Sequence, residues 1–199
     1  MKPTNKLMKR LSLYLFLILF TLQTSSQADD IRDFQIEGMS IGDSALDFFS
    51  EEEIKKGMRL DYYKSKKFIK VELWDAKTNM YDALAVHIKN KDNKYNIYEV
   101  SGAILFDDNV NECYSKQKEI IEDLSSMFQS AEAHDSGRQI HKNVDNESTY
   151  DRYDFNFKSG ASIDIICYDW SDASGFRDHL ALGVNSKEFD FWLTNEALN

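Results

Sequence analysis

NVNECYSKQKEIIEDLSSMFQSA, residues Asn109–Ala131, is the stretch on which the reading of the fold turns. Val110, Cys113, Tyr114, Ile120, Ile121, Leu124, Phe128 and Ala131 recur three and four residues apart, the spacing of one apolar stripe on an α-helix. Asp107, Asp108 and Asn109 place capping groups and negative charge at its start, where the helix dipole is positive. The helix is expected to stop near His134 to Gly137. A one-sided stripe of this kind must be buried against another layer, and the flanking segments supply it.

Upstream, apolar and polar residues alternate. Lys67–Asp75 sets Ile69, Val71 and Leu73 against Lys70, Glu72 and Trp74, and Asp82–Asn90 sets Leu84, Val86 and Ile88 against Ala85, His87 and Lys89. Tyr95–Phe106 reads as a longer strand in which Gly102 marks a bulge. Lys77-Thr78-Asn79 and Asn90–Asn93 read as the hairpin connections. Downstream, Tyr150–Phe157, Ala161–Tyr168 and His179–Val184 alternate in the same way, with Lys158-Ser159-Gly160 as a turn. Ser186 then caps a closing helix that carries Phe189, Trp192 and Leu193.

Before the first meander, Ser44…Asp47 and Ser50…Glu53 fit capping patterns, and Gly57 suits a helix stop. No strand–helix–strand alternation of the doubly wound kind is present, so the expected fold is α+β. It comprises an antiparallel sheet of about six strands, as two three-stranded meanders. The sheet packs against a long central helix, with short N-terminal helical turns and a C-terminal helix. Residues 29–199 form a single domain on this reading, with a helix-plus-three-strand pseudo-repeat in element order.

Lys2, Lys6, Lys9 and Arg10 precede the apolar run Leu11–Leu22, and Ser26-Gln27-Ala28 follows as a small-x-small site. This predicts a secretory signal peptide over 1–28, its apolar part too short for the ~20 residues of a membrane span. The protein is therefore expected to be exported, periplasmic or extracellular, with no membrane span after cleavage near Ala28. The formal net charge is −10, and the basic leader takes positive charge with it. An acidic domain without a basic footprint excludes nucleic acid as a partner class. The lone proline, Pro3, lies in the leader, so turns rest on Asn, Asp, Ser and Gly.

Two cysteines remain, Cys113 on the helical stripe and Cys167 on the strand face of Ile163 and Ile165. If that helix packs on that face the sulfurs meet in a disulfide, a link contributing ~4 kcal/mol in the chain-entropy model. The alternative is two buried thiols. No Cys-x-x-Cys spacing points to redox chemistry.

Catalytic leads are thin. Gly42-Asp43-Ser44 with Leu46 resembles the nucleophile block of Gly-Asp-Ser-Leu hydrolases, but no Asp stands three residues before His87, His134, His141 or His179. A serine without a positioned base is a weak nucleophile, so Ser44 reads as a helix start. The histidines and acidic loops lack ligand spacing for a metal, and no cofactor is expected. His87 and His179 fall on outward strand faces, expected to be exposed. Asp47/Glu51 and Glu119/Asp123 read as charged helix faces. Aromatic residues on the less apolar strand faces suit an interaction surface, foremost Trp74, Tyr98, Tyr168 and Trp170.

Three stretches, DFQIEGMSIGDSALDFFSEEEI (Asp33–Ile54), ECYSKQKEI (Glu112–Ile120) and CYDWS (Cys167–Ser171), together resemble a family of small exported bacterial proteins with no assigned function. The resemblance implies export and one folded unit, and brings no activity with it. IEGMSIGDS is also similar, at fold level, to periplasmic helix-plus-sheet modules, among them outer-membrane-assembly lipoproteins and β-lactamase inhibitor proteins. The expected function is an exported, non-enzymatic module binding a protein or envelope component. The alternatives are a small hydrolase using Ser44, or a carrier of apolar ligands between sheet and helices.

Overall fold

The computed structural model describes residues 31, 34–106, 109–142 and 144–197. The expected leader lies outside the described residues, as do Asp107 and Asp108. After a short 3-10 turn (Ala45–Asp47), the described chain runs through α1 (Glu51–Gly57), β1 (Met58–Arg59), β2 (Phe68–Leu73), β3 (Ala83–Lys89) and β4 (Ile97–Leu105). It continues through α2 (Val110–Met127), β5 (Glu132–Ile140), β6 (Thr149–Asn156), β7 (Ser162–Asp169), β8 (His179–Asn185) and α3 (Lys187–Asn195).

The strands form one eight-stranded antiparallel sheet in the order β1-β2-β3-β4-β8-β7-β6-β5. Two four-stranded meanders thus join at the centre, where Val100 of β4 faces Val184 of β8. This overturns the expected six strands on a long central helix. The helices have 7, 18 and 9 residues, and α2 sits on β7 and β8, off the sheet's centre. The added strands escaped alternation for physical reasons. β1 has two residues, too few to show a period. β5 is an outer strand with most of its side chains exposed, so neither of its faces is apolar. The segment where α2 was expected to end is this strand; α2 itself ends at Met127.

Cross-strand register sorts the two faces. Val71, Val86, Val100, Val184, Ile163 and Phe155 form one continuous row on the first face. α1, through Ile54, and α2, through Cys113, Leu124 and Phe128, pack on that face in a single core. Cys113 and Cys167 are joined by a disulfide across 54 residues of sequence, fixing α2 to β7. At the same contact Gln117 is buried and its Nε2 donates to the carbonyls of Asp151 and Ile165, which pins the helix's register. Among the described residues, no helix is long and apolar enough to cross a membrane.

Two glycines act by close approach, Gly102 in place of the bulge expected of it and Gly57 in addition to ending α1 as expected. A Cβ on Gly102 would come within 2.2 Å of the Tyr81 ring, so the position is a seat for that ring. The register shift in this ladder falls instead at His87/Ile88. A Cβ on Gly57 would meet the Glu72 carbonyl oxygen at 2.4 Å, so the glycine lets α1 lie against β2.

Candidate functional site

The second face of the sheet is covered at one end only. Ser186 caps α3 by accepting from the Phe189 N–H, which starts the helix where β8 ends and folds it back over Phe68, His87 and Tyr98. Phe189 and Trp192 are buried there, Trp192 donating from Nε1 to Ser65 Oγ at 2.8 Å. Asp190 accepts from Ser162 Oγ and ties α3 to β7.

Under this cover runs a polar chain. Tyr63 Oη and His87 Nε2 are hydrogen-bonded at 3.0 Å, and Nδ1 of the same ring is hydrogen-bonded to Glu99 Oε2. His87 is 5 % exposed, against the expectation of an exposed histidine. The strand pattern did place it opposite the first core, but α3 and Tyr63 bury that side as well. Burial lifts the Tyr63 phenol far above its ordinary range, so the hydroxyl keeps its proton. The chain anchors the loop between β1 and β2 to the sheet.

Beyond α3 the face is floored by small residues, of which Ala85, Ser101, Ala103 and Ala181 are half-buried and Ala83 and Gly183 buried. Ala85, Ser101 and Gly183 form one registered row, and Ala83, Ala103 and Ala181 the next. On one side rise Lys70, with its Nζ 4.5 Å from the Tyr62 ring centroid, and Trp74, which is 57 % exposed. On the other side stands an aromatic cluster. Tyr168 stacks on Trp170 at 5.2 Å with 4° between planes, and on His179 at 4.7 Å. His141 and the exposed Phe176 close on Trp170 at 5.1 and 4.9 Å. Burial, and then Asp164, push the Tyr168 phenol above its ordinary range; Tyr62 adds to the same shift across the face. Burial holds the His179 imidazole below its usual value, offset in part by a bond to the Arg177 carbonyl. His179 is thus half-buried and neutral near pH 7, again not the exposed residue expected.

Charged groups edge this floor. Arg152 makes a fork onto Asp154, with Nη2–Oδ1 at 2.7 Å and Nε–Oδ1 at 2.8 Å. Asp164 lies over Gly183 and accepts from Asn185 Nδ2 at 2.6 Å. Desolvation pushes its carboxyl up to about 6, against the opposing pull of Arg152 and Asn185. The folded state therefore holds this proton to higher pH than the unfolded chain. Asp164 accordingly contributes a loss of stability as pH rises from its unfolded value near 3.9 through 6. Carboxyl-carbon NMR on Asp164 should show a midpoint near 6, and Asp164→Asn should flatten that part of the stability profile. A midpoint below 4 would contradict the placement.

Of the four aromatic residues singled out in the sequence, Tyr168 and Trp170 meet in one stack, and Trp74 stands on the opposite rim with its Nε1 donating to Glu72 Oε2 at 3.4 Å. Tyr98 packs on Phe68 at 5.2 Å beneath α3, away from the open floor. Ser44 has no histidine partner among the described residues. Its hydroxyl donates to the Lys94 carbonyl at 2.7 Å and accepts from the Leu46 N–H, capping the 3-10 turn. The space between α2 and the sheet is taken up by side chains of the core. No group of three or more His, Cys, Asp or Glu side chains converges to hold a metal among the described residues.

Sequence reasoning missed the buried Tyr63–His87–Glu99 chain, Asp164 and the floor. The floor did leave a signal. In Ala83-Leu84-Ala85-Val86, Ser101-Gly102-Ala103-Ile104 and Ala181-Leu182-Gly183-Val184 one face of each strand is reduced to small residues. No family model matches the chain, and no curated protein or solved structure matches it either.

Proposed function

We propose that the protein is an exported, non-catalytic binding module that engages a protein or envelope component through the open half of its sheet. The observation that carries this reading is the floor of Ala83, Ala85, Ser101, Ala103, Ala181 and Gly183 between two aromatic rims. Helices pack on the far face and on one end of this one, while Ala85, Ser101, Ala103 and Ala181 remain half-buried. Tyr and Trp on a rigid sheet supply large contact area at small entropic cost, which is what a recognition surface needs. Small floor residues let a partner's side chains reach the backbone between the rims. Export is supported by the disulfide, since such links persist in oxidising compartments, and by the basic–apolar–small pattern of residues 1–28.

Filling the floor tests the reading. Ser101→Arg and Ala181→Arg place long charged side chains on the half-exposed floor without touching the core. Immobilised Ser101→Arg and Ala181→Arg chains, folded by circular dichroism, should fail to capture from envelope extract the species that the native chain retains. Equal capture by all three would remove the open face as the binding surface.

A further inference from the structure

Resting on that reading, we infer that the groove at the β5–β7 end of the open face is a subsite for a carboxylate side chain, an Asp or Glu, of the bound protein. The groove has a volume of about 430 Å³, within the range of small-ligand sites. Gln139, His141, Lys142, Tyr150, Arg152 and Tyr168 are among its walls, and no Asp or Glu lines it. That is unusual ground on a chain of net charge −10.

The chemistry of each wall points the same way. Among the described residues the Lys142 ammonium has no carboxylate partner, so its positive charge is left to the groove. Arg152 is held by Asp154 through Nε and Nη2, which fixes its guanidinium plane and keeps its remaining N–H groups as fixed donors. Gln139 accepts from Tyr150 Oη at 2.8 Å, so that wall is held in place before any ligand arrives. The Tyr150 and Tyr168 rings, 6.2 Å apart, and Ile166 supply the apolar surface that the methylenes of an acidic side chain would meet. A carboxylate meeting Lys142 and the N–H groups of Arg152 that Asp154 leaves unused gains charge-assisted hydrogen bonds. A lysine or arginine of a partner would find no counter-charge among the lining residues. An acidic protein surface otherwise repels acidic segments, so one such groove also fixes the register in which a partner docks.

The test uses N-acetyl-glutamate N-methylamide as probe and the isosteric glutamine amide as control. Titration of the isotopically labelled mature chain up to about 50 mM probe, a range suited to millimolar affinity, should give saturable shifts at Gln139–Lys142 and Arg152. The glutamine control should give none there, and Lys142→Glu should weaken the response by about tenfold or more. Lys142 is exposed, and an unchanged spectrum elsewhere confirms that the variant is folded. Equal response to both amides, or an unchanged response in Lys142→Glu, would overturn the inference. So would a stronger response to free galacturonate, which would make the groove a sugar-acid site. If Ala181→Arg loses the captured species while Lys142→Glu keeps it, the open face stands and the carboxylate subsite falls.

Discussion

Cys113→Ala/Cys167→Ala is expected to lower the free energy of unfolding by about 4 kcal/mol, as the chain-entropy relation gives for a loop of this size. The bridge spans 54 residues and encloses most of α2, all of β5 and β6 and most of β7. Without it, the unfolded chain regains the freedom of that whole segment, while the native packing around it is little changed. Both cysteines are fully buried, so the removed sulfurs also leave a small void, and the cost falls at or above the entropic figure. Denaturation in urea checks it. The midpoint should fall and the m-value should rise, because the unfolded chain without the link exposes more surface. An unchanged midpoint would mean that Gln117 and the apolar stripe alone hold α2 on the sheet.

Trp192→Ala is expected to cost about 3–5 kcal/mol, the usual range for deleting a buried aromatic side chain. Trp192 is 0 % exposed, meets Tyr63, Phe68 and Phe189 at ring distances of 4.9, 5.0 and 5.6 Å, and gives its N–H to Ser65. A nine-residue helix is too short to persist on its own, so α3 depends on this cluster. Its loss should also uncover His87. The effect is therefore read twice, by global denaturation and by amide exchange along α3 and at Tyr63. Trp192→Phe, which keeps a ring but not the N–H, should recover a large part of the stability. Full protection of α3 in Trp192→Ala would contradict the role given to this side chain.

These two sites also show what the sequence could and could not reveal. Strands with one apolar face, such as Phe68–Leu73 and Ser162–Asp169, announce themselves by period, because half their side chains meet the core. β5 does not, since an outer strand with exposed residues on both sides has no such constraint. The pairing of β4 with β8 is a long-range choice with no local mark, and it is what turns two meanders into one sheet. The stripe on α2 was legible, but Gln117 inside it was not. A polar residue is stable at that point only because two strand carbonyls accept its amide protons. On the candidate face, Tyr168 and Trp170 stood out by type and alternation. His87 looked like a solvated outward residue because its cover, α3, comes from the far end of the chain.

On the proposed function, the open half of the sheet, and not the helical side, meets the partner. A photo-crosslinking residue placed at Ser101, in the middle of the floor, or at Ser115, exposed on α2, tests it most directly. On irradiation in envelope extract the chain labelled at Ser101 is predicted to give a discrete crosslinked species, and the chain labelled at Ser115 none. A discrete species from Ser115 with none from Ser101 would contradict the proposed function.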